Sequence, residues 1–306
     1  MNRHGDRRGL ARALGSWFAQ EARELPWRSE APGGVGAWAV LVSEFMLQQT
    51  QVERVLPRFL EWMRRWPLPS RLAAEEPGEA VRAWGRLGYP RRALWLHGAA
   101  TEIANEHGDV VPRDVETLLG LTGVGPYTAR AVAAFAYGER HPVVDTNTRR
   151  VIARLVRGRA AAGPPRAGDL DDMAALLPDD PVEARVFNAA AMELGAVVCT
   201  ARAPRCEECP VSEWCEWRGA GYPDNAPAKR PTQARFEGSD RQARGRIMAL
   251  LRSAAAPVPR SEALRAAQGP AGSRAKAVDP AQPRRVYDSL LADGLLVEFE
   301  GRARLP

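Results

Sequence analysis

All four cysteines of the chain lie within 17 residues, in the pattern C-x6-C-x2-C-x5-C: Cys199, Cys206, Cys209 and Cys215. Two disulfides confined to so short a span could not cross-link a chain of 306 residues. Four thiolates on one loop therefore indicate a metal centre. Zinc sites usually pair two C-x2-C knuckles or include histidine, and this run has one knuckle and no histidine nearby. An iron–sulfur cluster, [4Fe–4S], fits the spacing better, with zinc and unligated thiols as the alternatives.

Two carboxylates stand in contexts that suit acid–base chemistry. Glu44 lies among apolar residues in VLVSEFML, and burial raises a carboxyl pKa because the charged form loses its hydration. Such a group is a general acid near neutral pH. Asp145, in PVVDTNTRRV, lies where a helix N-cap is favoured and where the helix dipole favours the anion. Together they fit the two-carboxylate chemistry of glycoside cleavage. A surface or core Glu and a purely structural cap are the alternatives.

A glycine-rich turn, LTGVGPYT, separates two predicted helices. Gly123, Val124 and Gly125 would expose backbone N–H groups that, with the start of the next helix, bind a phosphate oxygen. Such a contact anchors DNA without reading its sequence. Most turns of this kind only connect helices, but this one precedes the cysteine run by about 75 residues, which strengthens the interpretation.

Helical periodicity dominates the sequence that must position these groups. Strand signals are nearly absent before residue 225, and Pro126 suits the first position of a helix. We therefore predict an all-α main domain over residues 1–222. Its predicted helices cover 10–24, 37–49, 51–65, 77–85, 91–107, 114–120, 126–137, a segment starting near 145, and 182–194.

The C-terminal part of the sequence has a different pattern. A Pro-rich stretch predicts a linker over 223–237. Beyond it, residues 238–306 contain predicted helices at 240–253, 260–267 and 282–292, followed by a hairpin in LLVEFEGRARL. Three helices and a hairpin predict a small winged-helix-like module.

Charge and composition limit the class of protein. No run of 18 apolar residues occurs and the N-terminus lacks an apolar signal core, so we expect a soluble intracellular protein. The net charge is +6, and from Arg230 onward there are 14 basic and 8 acidic residues, so the rest of the chain is balanced. A basic excess suits a polyanionic partner, although a solvated basic tail is the simpler interpretation.

Taken in order, these motifs resemble a known family. SEFMLQQTQV, GRLGYPRRALWLH, LTGVGPYTA, VVDTNTRRV and the cysteine run follow one another as in the endonuclease III superfamily of helix-hairpin-helix (HhH-GPD) DNA glycosylases. Within it they are most similar to the A/G-specific adenine DNA glycosylases, the MutY family. The resemblance covers about residues 10–225 and implies two helical lobes with DNA in the cleft between them.

The resemblance also implies roles for individual residues. Glu44 would protonate the adenine leaving group at N7, and Asp145 would stabilise the sugar cation. Supporting groups around that carboxylate would be Tyr127 and Asn147. Bifunctional relatives carry a lysine at the position of Tyr127, which forms a Schiff base and cleaves the strand. The only lysines here are Lys229 and Lys276, so the resemblance implies a monofunctional enzyme.

Further positions match DNA contacts of the family. Gln49 and Tyr89 would wedge into the duplex and help to extrude the target base. The adenine pocket would be lined by Trp27, Arg28 and Leu47, although core packing or a surface arginine would also explain these residues.

Some features depart from the family pattern. Ala189 and Pro90 replace a Gln or Glu that touches the base and a second Tyr. The C-terminal segment is too short and too helical for the Nudix-like domain that many members use to sense 8-oxoguanine. These departures affect the preference for the opposite base more than the reaction.

The resemblance favours a monomeric adenine DNA glycosylase of base excision repair, bacterial, cytoplasmic and nucleoid-associated, which acts on double-stranded DNA with adenine mispaired with 8-oxoguanine or guanine. A thymine glycosylase for G·T mismatches is the nearest alternative. A non-enzymatic iron–sulfur DNA-binding regulator is another, in which Glu44 and Asp145 would be structural.

Overall fold

A computed structural model describes residues 6–28, 36–223, 236–269 and 279–306. The chain forms two compact units. Unit 1 consists of Met1–Glu44, Val111–Gly120 and Val124–Lys229, and unit 2 of Phe45–Val110, Leu121–Gly123 and Arg230–Pro306. No helix within the described ranges is long and apolar enough to cross a membrane.

The described part of unit 1 contains helices and loops but no strand. It includes the first helix of the chain and the cysteine run. Its core is built on Leu14, Ile152, Phe187 and Leu194. Asp180 begins the longest helix by accepting a hydrogen bond from the amide of Glu183, which satisfies one of the free N–H groups at a helix start. The helices are α1 Arg7–Glu21, α2 Ala37–Leu47 (which continues into unit 2), α7 Val115–Gly120, α8 Pro126–Tyr137, α9 Thr146–Leu155, α10 Gly168–Leu176, α11 Pro181–Val197 and α12 Glu216–Gly219.

Unit 2 begins with four helices around a cluster of tryptophans. Trp62 packs edge-on against Trp66 and Trp84, with ring centroids 4.6 and 5.9 Å apart, and all three are buried. Edge-to-face pairs of this kind stabilise a core beyond their buried area. The helices are α3 Val52–Arg65, α4 Pro69–Ala73, α5 Pro77–Trp84 and α6 Arg91–Glu106.

The C-terminal module of unit 2, residues 236–306, has the element order helix–strand–helix–helix–strand–strand that a winged helix has. Its three strands form an antiparallel sheet in the order β1-β3-β2, in which Ala303 pairs with both Val258 and Glu298. Tyr287, Ile247 and Leu290 form the module's core. The elements are α13 Asp240–Ser253, β1 Val258–Pro259, α14 Arg260–Gln268, α15 Gln282–Ala292, β2 Val297–Phe299 and β3 Arg302–Arg304.

The predicted helices are all present, with ends that differ by at most three residues. The prediction missed α4, α10 and α12, which are only five, nine and four residues long. It also missed β1, which is two residues long and pairs with β3. The predicted linker 223–237 falls mostly on residues 224–235, outside the described ranges.

Candidate active site and metal centre

Glu44 lies on α2 with only 7 % of its surface exposed. Burial raises the pKa of its carboxyl from 4.5 to about 7. The Tyr127 hydroxyl, at the start of α8, donates a hydrogen bond that lowers this pKa, and the nearby charge of Asp145 raises it. Burial also raises the pKa of Tyr127 well above its ordinary value. Glu44 is therefore a carboxyl that exchanges a proton near neutral pH, beside a phenol that does not.

Asp145 is the N-cap of α9, as its sequence context predicts. Its carboxylate accepts hydrogen bonds from the backbone N–H of Thr148 (2.7 Å) and from the side-chain amide of Asn147 (3.1 Å). Helix α11 approaches closely behind Asn147, because a Cβ on Gly195 would lie 2.8 Å from the Asn147 Cβ. A glycine is therefore required at 195 for Asn147 to hold the carboxylate.

Arg150, one turn further along α9, connects Asn147 to the cysteine run. Its guanidinium donates to the Asn147 side-chain oxygen at 2.9 Å and to the backbone oxygens of Gly195 and Cys199 at 2.5 and 2.7 Å. Burial lowers the pKa of Arg150. A continuous set of hydrogen bonds thus runs from the Asp145 carboxylate through Asn147 and Arg150 to the first cysteine.

The four cysteines line a single open pocket, in which burial raises the pKa of Cys209 to about 12. The charges of Cys199, Cys206 and Cys215 raise it further, so these thiols need a cation if they are to ionise together. Arg154 supplies one positive charge, with its guanidinium 3.3 Å from the Cys199 sulfur. A set of four sulfur donors beside a buried arginine fits an anionic thiolate-bound cluster.

The glycine-rich turn has a geometry that would let its backbone amides bind a ligand. Gly123 has φ +77°, and a Cβ there would lie 2.6 Å from the Trp95 Cβ, so glycine is required both by conformation and by close approach. Glu102 accepts the backbone N–H of Thr122 at 2.7 Å and fixes the turn. Gly125 caps α8 without a side-chain hydrogen bond, so the first amides of α8 have no capping side chain.

Gln49 and Tyr89 both have a left-handed backbone, with φ of 55° and 45°, which non-glycine residues adopt only at an energetic cost. The two loops that carry them are joined: the Thr50 hydroxyl contacts the Leu87 carbonyl at 3.5 Å, and the Arg92 guanidinium donates to the carbonyl of Gln48. Tyr89 is 61 % exposed. Strained, exposed residues held by their surroundings often mark functional sites.

Of the three residues assigned to a base pocket, two lie on the 3₁₀ segment Pro26–Arg28 and one ends α2. Trp27 and Leu47 are half-buried. Arg28 is paired with Glu193 of α11 at 2.9 Å, and Arg23 binds the same carboxylate at 2.6 Å. Glu193 is fully buried, and the two guanidinium groups keep its pKa low although burial alone would raise it.

The structure thus brings the four predicted catalytic groups together within unit 1 and places the predicted wedge residues on joined loops of unit 2. Sequence reasoning missed Arg150 and Arg154. They follow Asn147 on α9 and are four residues apart, and this spacing could have indicated them. It also missed Arg23 and Glu193, whose pairing across 170 residues has no local signature.

Comparison with known proteins extends these observations. Residues 42–165 match the HhH-GPD superfamily of base excision DNA repair proteins, and residues 199–215 match the iron–sulfur binding domain of endonuclease III. The adenine DNA glycosylase of Mycolicibacterium smegmatis is 53 % identical over 95 % of this chain and 94 % of its own length. The human adenine DNA glycosylase is 42 % identical over 67 % of this chain and 39 % of its own length.

Solved structures share the fold. A thermostable thymine-DNA glycosylase covers 70 % of this chain and 97 % of its own, with a TM-score of 0.62 and 25 % identity. Endonuclease III in a non-covalent DNA complex also covers 70 % of this chain, with a TM-score of 0.58 and 20 % identity. The match over 199–215 confirms the expected iron–sulfur loop, and the cysteine pocket is where the cluster would be held.

Proposed function

The chain belongs to the adenine DNA glycosylases of the HhH-GPD superfamily, and on that premise we propose that it removes adenine mispaired with 8-oxoguanine or guanine by hydrolysing the N-glycosidic bond without cleaving the strand. The observation that carries this proposal is the buried carboxyl of Glu44, with a pKa of about 7, beside the capped carboxylate of Asp145.

Glu44 acts as the general acid. A carboxyl whose pKa matches the working pH is both protonated in a useful fraction and able to give its proton away. Transfer of that proton to N7 of adenine makes the base a neutral leaving group as the bond from N9 to the sugar carbon breaks. The Tyr127 hydroxyl keeps the Glu44 carboxyl oriented through its hydrogen bond.

Asp145 stabilises the positive charge that develops on the sugar. Its carboxylate is fixed by the Thr148 amide and by Asn147, so it needs little rearrangement as the charge develops. A water molecule then adds to the sugar carbon and gives up one proton, which replaces the proton that Glu44 donated. The products are free adenine and an abasic strand. The two carboxylates have different roles because their surroundings differ, one in an apolar helix and one at a helix start.

The strand stays intact because the site lacks an amine nucleophile. Tyr127 occupies the position where a lysine would form a Schiff base, and the sequence has no lysine before Lys229. The four cysteines hold a [4Fe–4S] cluster, which we assign to positioning of the DNA-binding loops rather than to the hydrolytic step.

DNA is held by groups in both units. The amides around Gly123, Val124 and Gly125 anchor a phosphate, and Gln49 and Tyr89 enter the duplex where the adenine leaves the stack. Trp27, Arg28 and Leu47 line the adenine pocket. We propose that one copy of the chain acts on the mismatched duplex. Chromosomal DNA in the cytoplasm is its place of action.

The decisive experiment compares duplexes that contain A·8-oxoguanine, A·G or T·G, each assayed for strand breaks after treatment with alkali. The proposal requires release from the two adenine duplexes and intact strands before alkali. Release of thymine alone would assign the thymine activity instead, and no release from any duplex would favour a non-enzymatic DNA-binding protein.

A further inference from the structure

Four arginine side chains of unit 2 cluster beside the loop that carries Tyr89, and the C-terminal module contributes one of them. Two of the four are exposed at the surface and two are half-buried. We refer to them as the arginine patch: Arg54, Arg58, Arg86 and Arg252.

Arg54 is hydrogen-bonded to the Tyr89 loop, and Arg58 lies beside it. The Arg54 guanidinium donates a hydrogen bond of 2.5 Å to the backbone oxygen of Arg86. The Nε of Arg58 lies 3.2 Å from the position that a Cβ on Gly85 would take. Arg86 itself lies three residues before Tyr89, so the patch and the exposed ring share one loop.

Arg252, in the last turn of α13, lies near Arg58 and Arg86. Its guanidinium donates to the Val81 backbone oxygen at 3.2 Å, near the end of α5. In return, the Arg82 guanidinium of α5 donates to the backbone oxygen of Arg252. Each helix thus receives an arginine from the other at its C-terminal end, where free carbonyl groups and the helix dipole favour a cation. This exchange fixes the module beside the Tyr89 loop.

Only one of the four arginines in the patch has a carboxylate partner among the described residues. Over the described ranges, Arg54, Arg86 and Arg252 form no ion pair, and Arg58 pairs only with the exposed Glu61, at 2.7 Å. Burial, together with repulsion from Arg86 and Arg58, lowers the pKa of Arg252 to about 10. Half-buried cations that lack a counter-ion are costly, and a bound anion would offset that cost.

We propose that the arginine patch binds a backbone phosphate of duplex DNA beside the Tyr89 loop, so that the C-terminal module forms part of the DNA-binding surface through Arg252. The inference rests on the proposed function in taking a duplex as the ligand. Guanidinium groups match phosphate oxygens with paired hydrogen bonds. The contact carries no sequence information and positions the duplex against Tyr89.

The test measures how the affinity of the full-length protein depends on salt. The probe is a duplex with an A·G mismatch in which the adenosine carries a 2′-fluorine, so that the base is not released. Each neutralised phosphate contributes about 0.9 to the slope of log affinity against log salt. We expect Arg86→Gln to reduce the slope by about 0.9 relative to the unmodified protein.

A matched control separates a phosphate contact from a general effect of charge. Arg285 is also exposed and belongs to the module, but it is paired with Asp240 and Asp279, both at 2.8 Å. Arg285→Gln removes the same charge and should leave the slope unchanged. An unchanged slope for Arg86→Gln, or an equal reduction for Arg285→Gln, overturns the proposal.

Arg252 is tested with Arg252→Lys and Arg252→Gln, with thermal unfolding as a check that the module stays docked. Arg252→Gln should flatten the slope, while Arg252→Lys should retain most of it. A single methylphosphonate, moved along each strand, should weaken binding of the unmodified protein at one phosphate but not that of Arg86→Gln. If no methylphosphonate position weakens binding of the unmodified protein in this way, the result argues against the patch. If no adenine is released from natural mismatches while these differences persist, the proposed function fails and the patch stands.

Discussion

Replacement of Glu44 by glutamine should nearly abolish base release, because glutamine keeps the size of the side chain but has no proton to donate. With a pKa of about 7, about half of the Glu44 carboxyls are protonated at pH 7, against roughly one in 300 for an ordinary carboxyl of pKa 4.5. General acid catalysis contributes ~10²–10⁴-fold to a rate. We expect a loss of that size, with DNA affinity largely retained because the phosphate contacts lie elsewhere.

The assay is single-turnover release of adenine at saturating enzyme, measured from pH 5.5 to 9. The rate of the unmodified protein should fall as the pH rises through about 7, where Glu44 loses its proton, and the residual rate of Glu44→Gln should lack that step. A rate within about threefold of the unmodified protein would rule out the acid role. So would a variant that keeps the same pH dependence, because the titrating group would then be another residue.

The raised pKa of Glu44 also predicts that stability depends on pH, and the direction of the pKa shift gives the sign of that dependence. The protonated carboxyl is the form that the folded chain favours, so this contribution is fully present below pH 4.5 and is lost as the pH rises through about 7. Glu44→Gln should therefore raise the melting temperature at pH 8, where the difference amounts to about 3 kcal/mol, and leave it nearly unchanged at pH 4.5. Equal shifts at both pH values would contradict this reasoning.

Three further predictions concern the rest of the site. Borohydride should trap little covalent adduct with DNA, because Tyr127 replaces the Schiff-base lysine; abundant adduct would show that another amine attacks. Arg150→Gln should slow base release about tenfold, since the loss of buried hydrogen bonds costs about 1–3 kcal/mol and frees Asn147 to turn away from Asp145; an unchanged rate at full iron content would contradict this. The purified protein should be brown with four irons and four sulfides, and Cys209→Ser should lose them; stoichiometric zinc instead would show a different metal.

The sequence predicted the parts of the site that depend on local patterns. Glu44 could be recognised as a buried acid because its neighbours on α2 are apolar, and Asp145 as a cap because a helix pattern starts directly after it. The close turn at Gly123 follows from two glycines between helices. Each of these properties is decided within about one helical turn, which explains why a single sequence reveals them.

Properties that depend on distant pairs were not predictable. Arg28 appeared in the sequence as a candidate contact to the base, yet in the structure it binds Glu193, 165 residues away. The size of the Glu44 pKa shift likewise depends on burial in the folded chain, and then on Tyr127 and Asp145, which lie at the starts of two other helices. A one-dimensional pattern records which residues are apolar but not which charges meet after folding.

The C-terminal module illustrates this difference for charge. The sequence shows that the excess of basic residues lies beyond Arg230, which suggests diffuse attraction to DNA. In the structure, several of those arginines are neutralised by carboxylates, as Arg244 is by Asp293 and Arg304 by Glu76. Charges paired in this way contribute little to a phosphate contact, so net charge overstates the module's attraction for DNA.

Removal of the module would be a poor test of its role in DNA binding. The module is attached to α5 through the backbone, since the Gly78 N–H donates to the Pro306 oxygen at 2.6 Å, in a space that a Cβ on Gly78 would fill. A chain that ends near Lys229 would leave this backbone group and the Val81 carbonyl without their partners, which costs stability whatever the module does to DNA. Weaker DNA binding by such a chain would then follow from either cause. The substitution Arg86→Gln removes charge but none of the contacts that dock the module, so it separates a phosphate contact from a loss of folding.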